Sequence, residues 1–418
     1  MNASLFQKIC RGSRIGYFML LSERRRTLTS LTVGGMLGFS SLPVIVSATF
    51  PSSNRLASSI KAASSTSVEN PQVRPRTYTY VDLGSLADPP SDHTSAAWGI
   101  NRARQIVGAS ETDIFGAAHA FLWQDGQLTD LGAIGGGTFA ASAAYGLNNR
   151  GHIVGQTTVS SSEPPHAFLY RDGVMNDLGT GFGRGSFSRG WDINQNGQIV
   201  GERSQTQSAT VRAFLYQSGS FLDLGTLGGH DPFPFGIDSI AYAINDRGQV
   251  VGTALPPEPP LHAFLWEEGV MQDLGTLGGN TEATQAFGIN NSGTVVGVSQ
   301  TSSEAMHAFV WRNGVMQDLG TLGGDSSYAY AVNRVGQIVG GSRTPTSPKF
   351  NAGHAFIWER GRIFDLNEVV TNSPADVVLE VARAINDDGS IVGTTCTQFC
   401  EPGATATYHG YLLIPNPE

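Results

Sequence analysis

Charge is scarce in this chain: Asp, Glu, Lys and Arg make up 15% of its 418 residues, against ~25% in ordinary soluble proteins. Basic charge is the scarcer sign, with 26 Lys and Arg against 35 Asp and Glu. The first 48 residues hold six basic residues and one acid, so the remainder carries a net charge of −14. That balance disfavours a nucleic-acid backbone or an anionic bilayer as partner. No Walker loop, dinucleotide fingerprint, HExxH pair or nucleophile elbow occurs, so the common phosphate, cofactor and hydrolase signatures are missing. No cofactor is expected. Cysteine is nearly absent, with Cys10, Cys396 and Cys400 the only three.

Glycine, by contrast, is plentiful, at 52 residues. With little charge and no three-residue period, this composition points to many tight turns between short strands.

The N-terminus stands apart from the rest. Arg24-Arg25-Arg26 precedes an apolar, uncharged run from Leu28 to Val46 that closes on Val46-Ser47-Ala48. A basic flank, an apolar stretch and small residues at −3 and −1 predict a secretory signal over 1–48, cleaved after Ala48. Met19 as initiator would shorten its long basic region. The alternative is an uncleaved membrane anchor. Residues 49–76 are rich in Ser, Ala and Pro without periodicity, and read as a flexible tether.

From residue 77 onward three landmarks recur in fixed order: His-Ala-Phe-Leu-Trp, then Asp-Leu-Gly, then Ala-Ile-Asn-x-x-Gly-Gln-Ile-Val-Gly, each with variants. The asparagine of the third falls at Asn101, Asn148, Asn194, Asn245, Asn290, Asn333 and Asn386, with gaps of 43 to 53 residues. Periods near 40–50 residues belong to propeller repeats. Asp125-Gly126, Asp172-Gly173 and their equivalents sit between apolar, β-branched or aromatic flanks, which predicts a hairpin closed by a type I′ turn. The third landmark predicts two further strands joined by an Asn-x-x-Gly turn, its asparagine bonding local backbone.

The count of landmarks predicts the topology. The chain opens on an Asp-Leu-Gly strand at Tyr78–Gly84 that has no His-Ala-Phe strand before it. It ends on a spare copy, His409-Gly-Tyr-Leu-Leu413, with no Asp-Leu-Gly strand after it. Pairing the two completes a seventh blade and leaves no open sheet edge. The expected fold is therefore all-β: a seven-bladed β-propeller of four-stranded antiparallel blades over 77–418, closed by the N- and C-terminal strands.

Two residues before each landmark Ile, Leu or Val stand Trp98, Tyr145, Trp191, Tyr242, Phe287, Tyr330 and, breaking the series, Arg383, with mostly small residues between. Alternation puts large and small side chains on opposite faces, so the aromatic face of one blade is expected to fill the shallow face of the next.

The string His-Ala-Phe-Leu-Trp…Gly-Val-Met-Gln-Asp-Leu-Gly-Thr-Leu-Gly-Gly at 262–279 returns at 307–324 with Val310 for the leucine. It resembles the bacterial HAF repeat, and the resemblance spans about 78–413. That family is regarded as extracellular and its activity is poorly defined, so the resemblance implies a location but no catalytic residues. Departures are Arg212 for the histidine, Gly410 for the alanine in the last copy, Asn367 for the glycine of the seventh Asp-Leu-Gly, and Gly179-Thr-Gly-Phe-Gly183 for the usual loop.

One histidine per blade could hint at metal. Zinc, however, needs its ligands within about 2.1 Å of one centre, and equivalent positions on packed sheets lie ~10 Å apart. A local bond within each hairpin is expected instead, with no metal site. The repeated aspartates likewise serve turn amides. Function is expected where symmetry breaks: His230, Asp231, Phe233, Phe235 and Asp238 in one long connection, Arg184 and Arg189 (with Phe182 and Phe187) in a neighbouring glycine-rich segment, and Arg383. Cys396 and Cys400 are expected to form a small disulfide in an oxidising compartment. The alternative, zinc, would need two more ligands, and only His409 lies nearby in sequence.

These readings predict an exported or cell-surface monomer: a non-catalytic binding or scaffold module whose partner is an extracellular or envelope glycan or protein. Two alternatives remain. One is a polysaccharide hydrolase or lyase using Asp231, Asp238 or Glu282. The other is a purely structural surface repeat.

Overall fold

The computed structural model describes residues 76–87, 93–112, 117–137, 139–205, 210–230, 236–279, 281–346, 353–397 and 408–417. The leader and nearly all of the tether lie outside them, as do Asp231, Phe233, Phe235 and Cys400.

The strands form seven four-stranded antiparallel sheets. The first blade is Ser95–Ile100, Ile106–Glu111, Ala118–Gln124 and Gln127–Asp130, in that spatial order. Five more blades follow over 142–179, 187–223, 239–273, 285–318 and 327–365. The strands that end in Ile-Asn or a variant touch one another from blade to blade in a closed cycle, Ser95–Ile100 meeting Val377–Ile385 at the join. They therefore line the axis. The hairpin made by the His-Ala-Phe and Asp-Leu-Gly strands forms the outer half of each blade.

Closure is made by pairing the ends. Tyr78–Asp82 pairs antiparallel with Gly410–Pro415, Val81 opposite Leu412. Ile391–Thr397 and Val377–Ile385 complete that blade inward. The chain is a seven-bladed β-propeller.

Local chemistry explains the strands' ends. Asp125 has φ 52° and Gly126 φ 86°, the paired positive values of a type I′ turn. Arg360-Gly361 does the same, with φ 51° and 81°. In the seventh Asp-Leu-Gly copy, Asp365 caps a short helix, Leu366–Val369, and Asn367 bonds Leu379 through both side-chain amide atoms.

The glycine of Ile-Val-Gly has a steric reason. A Cβ on Gly252 would lie 1.9 Å from the Ile240 carbonyl oxygen and 2.9 Å from the Phe264 ring. That phenylalanine and its equivalents Phe121, Phe168, Phe214, Phe309 and Phe356 are fully buried. Burying one such ring contributes about 1.5–3 kcal/mol. Between the third and fourth blades, Val200, Ala213 and Leu215 pack against Ala241, Val250, Phe264 and Trp266. The other interfaces repeat this pattern.

Here one expectation is corrected. Blade faces are filled by the His-Ala-Phe phenylalanine, helped by Ile and Val, and not by the aromatics of the inner strands. Each inner strand carries a bulge at that aromatic position, where the register skips between Ala97 and Gly99, Ala241 and Ala243, or Ala329 and Ala331. A bulge breaks the two-residue alternation and re-aims the extra side chain.

Candidate functional site

Three circles of residues surround the axis or the rim, and they differ in what they can do. The outermost is a girdle of hairpin pairs. His119, His166, His262, His307, His354 and His409 each bring Nδ1 to within 2.5–3.1 Å of the aspartate closing their hairpin: Asp130, Asp177, Asp273, Asp318, Asp365 and Asp82. The same aspartates accept the backbone N–H two residues on, as Asp130 does from Gly132 at 2.7 Å.

Hydrogen bonding to its aspartate raises the pKa of His119, His262, His354 and His409. For Asp82, Asp130, Asp273 and Asp365, burial pushes the pKa up. The histidine and the N–H donor outweigh it, so the net shift is down. Among the described residues no group of three or more His, Cys, Asp or Glu is arranged to hold a metal.

The second circle lies at one mouth of the channel. The Nδ2 of Asn101 donates to the Asn148 carbonyl, Asn148 to Asn194, and so on through Asn245, Asn290, Asn333 and Asn386, which returns to Asn101. All seven bonds are 2.9–3.2 Å. Each Oδ1 accepts local amides, as expected, such as Asn245 from Arg247 and Gln249. The reach of Nδ2 into the next blade is unforeseen in the sequence reading. A cavity of about 200 Å³ opens inside this circle, floored by Ile100, Ile193, Ile244 and their equivalents. Its rim includes Arg102, Asp246, Arg334 and Asp387. These charges are engaged with neighbours: Arg102 with Asp387 at 2.9 Å, and Asp246 with the Asn291 side-chain amide at 2.7 Å.

The third circle is a collar formed by the bulged residues. Ring centroids run Trp98–Tyr145 at 5.1 Å, Tyr145–Trp191 at 4.5 Å, Trp191–Tyr242 at 5.9 Å, Tyr242–Phe287 at 5.3 Å and Phe287–Tyr330 at 5.3 Å. Arg383 completes the series, its guanidinium 4.3 Å from the Tyr330 ring centroid. Every member is partly exposed although it stands on an innermost strand, so the space it faces is the channel. The Arg383 Nε is buried without a hydrogen-bond partner.

Among the described symmetry-breaking residues, His230 and Asp238 meet, while Arg184 and Arg189 take other partners. His230 Nδ1 and Arg212 Nη1 meet the Asp238 carboxylate at 2.8 and 3.1 Å, and Asp238 is only 1% exposed. Arg184 pairs with Glu163 at 2.7 Å. Arg189 and Phe187 belong to the inner strand Phe187–Ile193, not to a loop. Arg189 is buried, ion-paired to Glu202 and bonded to Gln156. Its side chain lies over Trp191. Arg383 stands across the ring on the closing blade. Cys396 is buried and disulfide-bonded.

One acid escaped the sequence reading. Asp192 occupies a position that is Gly or Ala in the other blades. Desolvation raises its pKa to about 6, against the amides of Ile244 and Ile193 that it accepts. The only sequence signal was a charge among small residues.

No family model matches the chain, and no characterised protein matches it in sequence. Among solved structures it is similar to TolB from Acinetobacter baumannii, at 12% identity and a TM-score of 0.41 over 66% of this chain. The chain spans 63% of the length of that TolB. It is also similar to an Aleuria aurantia lectin in complex with Fucα1-6GlcNAc, at 15% identity and a TM-score of 0.38, covering 68% of this chain and 99% of the lectin. A protein of unknown function from Dyadobacter fermentans matches at 10% identity and a TM-score of 0.39, covering 81% of this chain and 99% of its own.

Proposed function

We propose that the protein is an exported HAF-type propeller that binds a glycan of the envelope or cell surroundings through its channel, without chemistry of its own. The observation that carries this reading is the collar. Six aromatic rings and one guanidinium face a single axial space, and pyranose sugars present C–H faces that pack on such rings. Sites of this kind combine apolar and aromatic walls with few polar groups. The ion-paired groups of the framework, in contrast, have their charges taken up within the fold. Export rests on the leader over 1–48 and fits a disulfide at Cys396, for which Cys400 is the proposed partner.

The test is glycan-array and pull-down binding by the full chain beside Trp98→Ala and Tyr242→Ala. A retained glycan class that both variants lose is the expected result. A captured protein partner with no glycan bound would overturn the reading. N-terminal sequencing of the secreted product should begin at Thr49, and an intact leader would replace export by anchoring.

A second reading is a carboxylate enzyme, and one observation favours it: Asp192 has a raised pKa, and the charge of Asp246 adds to that rise. Both carboxylates are occupied, however, Asp192 by two amides and Asp246 by Gln195 N–H and the Asn291 side chain. Polysaccharide cleavage abolished by Asp192→Asn would restore the enzyme reading.

A further inference from the structure

The seven bulged positions of the collar are equivalent in register, yet one of them is not aromatic. We infer that Arg383 makes the collar selective for an acidic sugar, a hexuronate whose carboxylate it binds. This rests on the reading that the channel takes a glycan, and names its class.

Other arginines that depart from the repeat are held by neighbours within the fold. Arg189 has Glu202 and Gln156. Arg212 has Asp223 and Asp238. Arg203 donates to the Thr180 carbonyl and lies between the Phe182 and Phe221 rings. Each has at least one polar partner, although the Nε of Arg203 and of Arg212 is, like that of Arg383, buried without a hydrogen bond. Arg383 has no such partner: among the described residues it has no hydrogen bond and no ion pair, only the face of Tyr330 beneath it. A guanidinium is charged at any physiological pH and keeps its donors in a flat fork. In a channel walled by rings, water can solvate it only from the lumen. Electrostatics therefore favours an anion arriving along the axis, where the terminal Nη groups would have to receive it because Nε is buried.

The geometry selects the anion. A carboxylate offers two coplanar oxygens that match two N–H groups of the fork. The rings of Tyr330 and its neighbours offer apolar surface beside it. A sugar that carries a carboxylate on a pyranose ring satisfies both at once. The charged rim at the asparagine mouth does not compete, because Arg102 and Arg334 face Asp387 at 2.9 and 3.7 Å.

The test is calorimetric titration of the full chain with trigalacturonate and with the neutral galactose trimer. The wild type should prefer the uronate by about tenfold or more, as a charge-assisted bidentate pair implies. Arg383→Tyr restores the aromatic found in the other six blades. It should fold and lose that preference, while Arg383→Lys keeps part of it. Equal affinity for the two trimers, or a preference that survives Arg383→Tyr, overturns the acid selectivity but leaves a glycan-binding channel standing. If neither trimer binds and no glycan is held on an array, the channel reading fails with it. Should Arg383→Tyr not fold, wild-type titration at low and high salt decides: a uronate preference that does not shrink with salt rules the ion pair out.

Discussion

The outer girdle and the inner collar are both sevenfold, and both are broken once, but the breaks are of opposite kinds. In the girdle, Arg212 replaces a histidine and still reaches the hairpin aspartate, Asp223, while a second carboxylate, Asp238, closes on it from the next connection. In the collar, Arg383 replaces an aromatic ring, and among the described residues no carboxylate pairs with it. A substitution that the fold absorbs comes with compensation, because a buried unpaired charge is expensive. One left uncompensated on an open channel has a different reason to persist. The difference separates residues that hold the propeller from residues the propeller holds out.

Substitutions can break that distinction. The largest effect should come from the framework. Gly252→Ala would drive a Cβ into the Ile240 carbonyl at 1.9 Å and should lower stability by about 4 kcal/mol or more in denaturant titration. Next is Glu202→Ala, which strands Arg189 in a buried site and should cost about 3–5 kcal/mol. Adding Arg189→Ala, the residue at the equivalent position of the preceding blade (Ala143), should recover much of the loss. If the double variant is no more stable than Glu202→Ala alone, the ion pair is not what the pocket requires.

The collar should be more forgiving. Tyr242 is half-buried, so Tyr242→Ala should cost about 2 kcal/mol, below the ~3–5 of a fully buried ring. A loss equal to that of Gly252→Ala would erase the contrast between framework and collar.

Smaller still is the pH response of the girdle. His119, His262, His354 and His409 have raised pKa values when folded. Their contribution is complete below the unfolded value of about 6.5 and fades as pH rises through the folded ones. Asp82, Asp130, Asp273 and Asp365 are lowered. Their contribution is present above about 3.9 and fades as pH falls through the folded values. Melting temperature should therefore peak between about pH 4 and about pH 6.5, and His→Gln changes at these four positions should flatten the alkaline side. A wild-type melting temperature that climbs steadily from about pH 6 to about pH 9 would contradict the pairing.

The smallest change is a gain. Arg104 takes the position held by glycine in the other six Asn-x-x-Gly turns, at φ 56°. Arg104→Gly should relieve that strain but lose an exposed pair with Asp388, a net stabilisation of about 0.5 kcal/mol.

What could be read in the sequence was what repeats along one dimension. The period, the Asp-Gly hairpins and the mismatch of terminal strands each follow from counting, and Val81 opposite Leu412 is where that count leads. What could not be read was where a single extra residue changes direction. The bulge at Tyr242 leaves the pattern of large and small residues intact while turning the ring from the blade face to the axis. Arg189 resembled a loop residue because glycines surround it, yet its partner Glu202 lies directly across the sheet. The asparagine circle was half legible: Oδ1 bonds within four residues, whereas Nδ2, besides a local glutamine in four blades, bonds 43 to 53 residues away, or 285 at the join. Arg383 was picked out as a departure, but its lack of a counterpart is a property of the assembled ring.

The asparagine circle has a handedness of its own. Every amide points to the following blade, so the loop of dipoles has no first or last member. Opening the chain in an outer loop and joining the old termini should leave the circle whole, whereas removing one repeat would leave a donor and a carbonyl facing across a gap. The ring is indifferent to where the polypeptide starts, but it is strict about how many blades it contains.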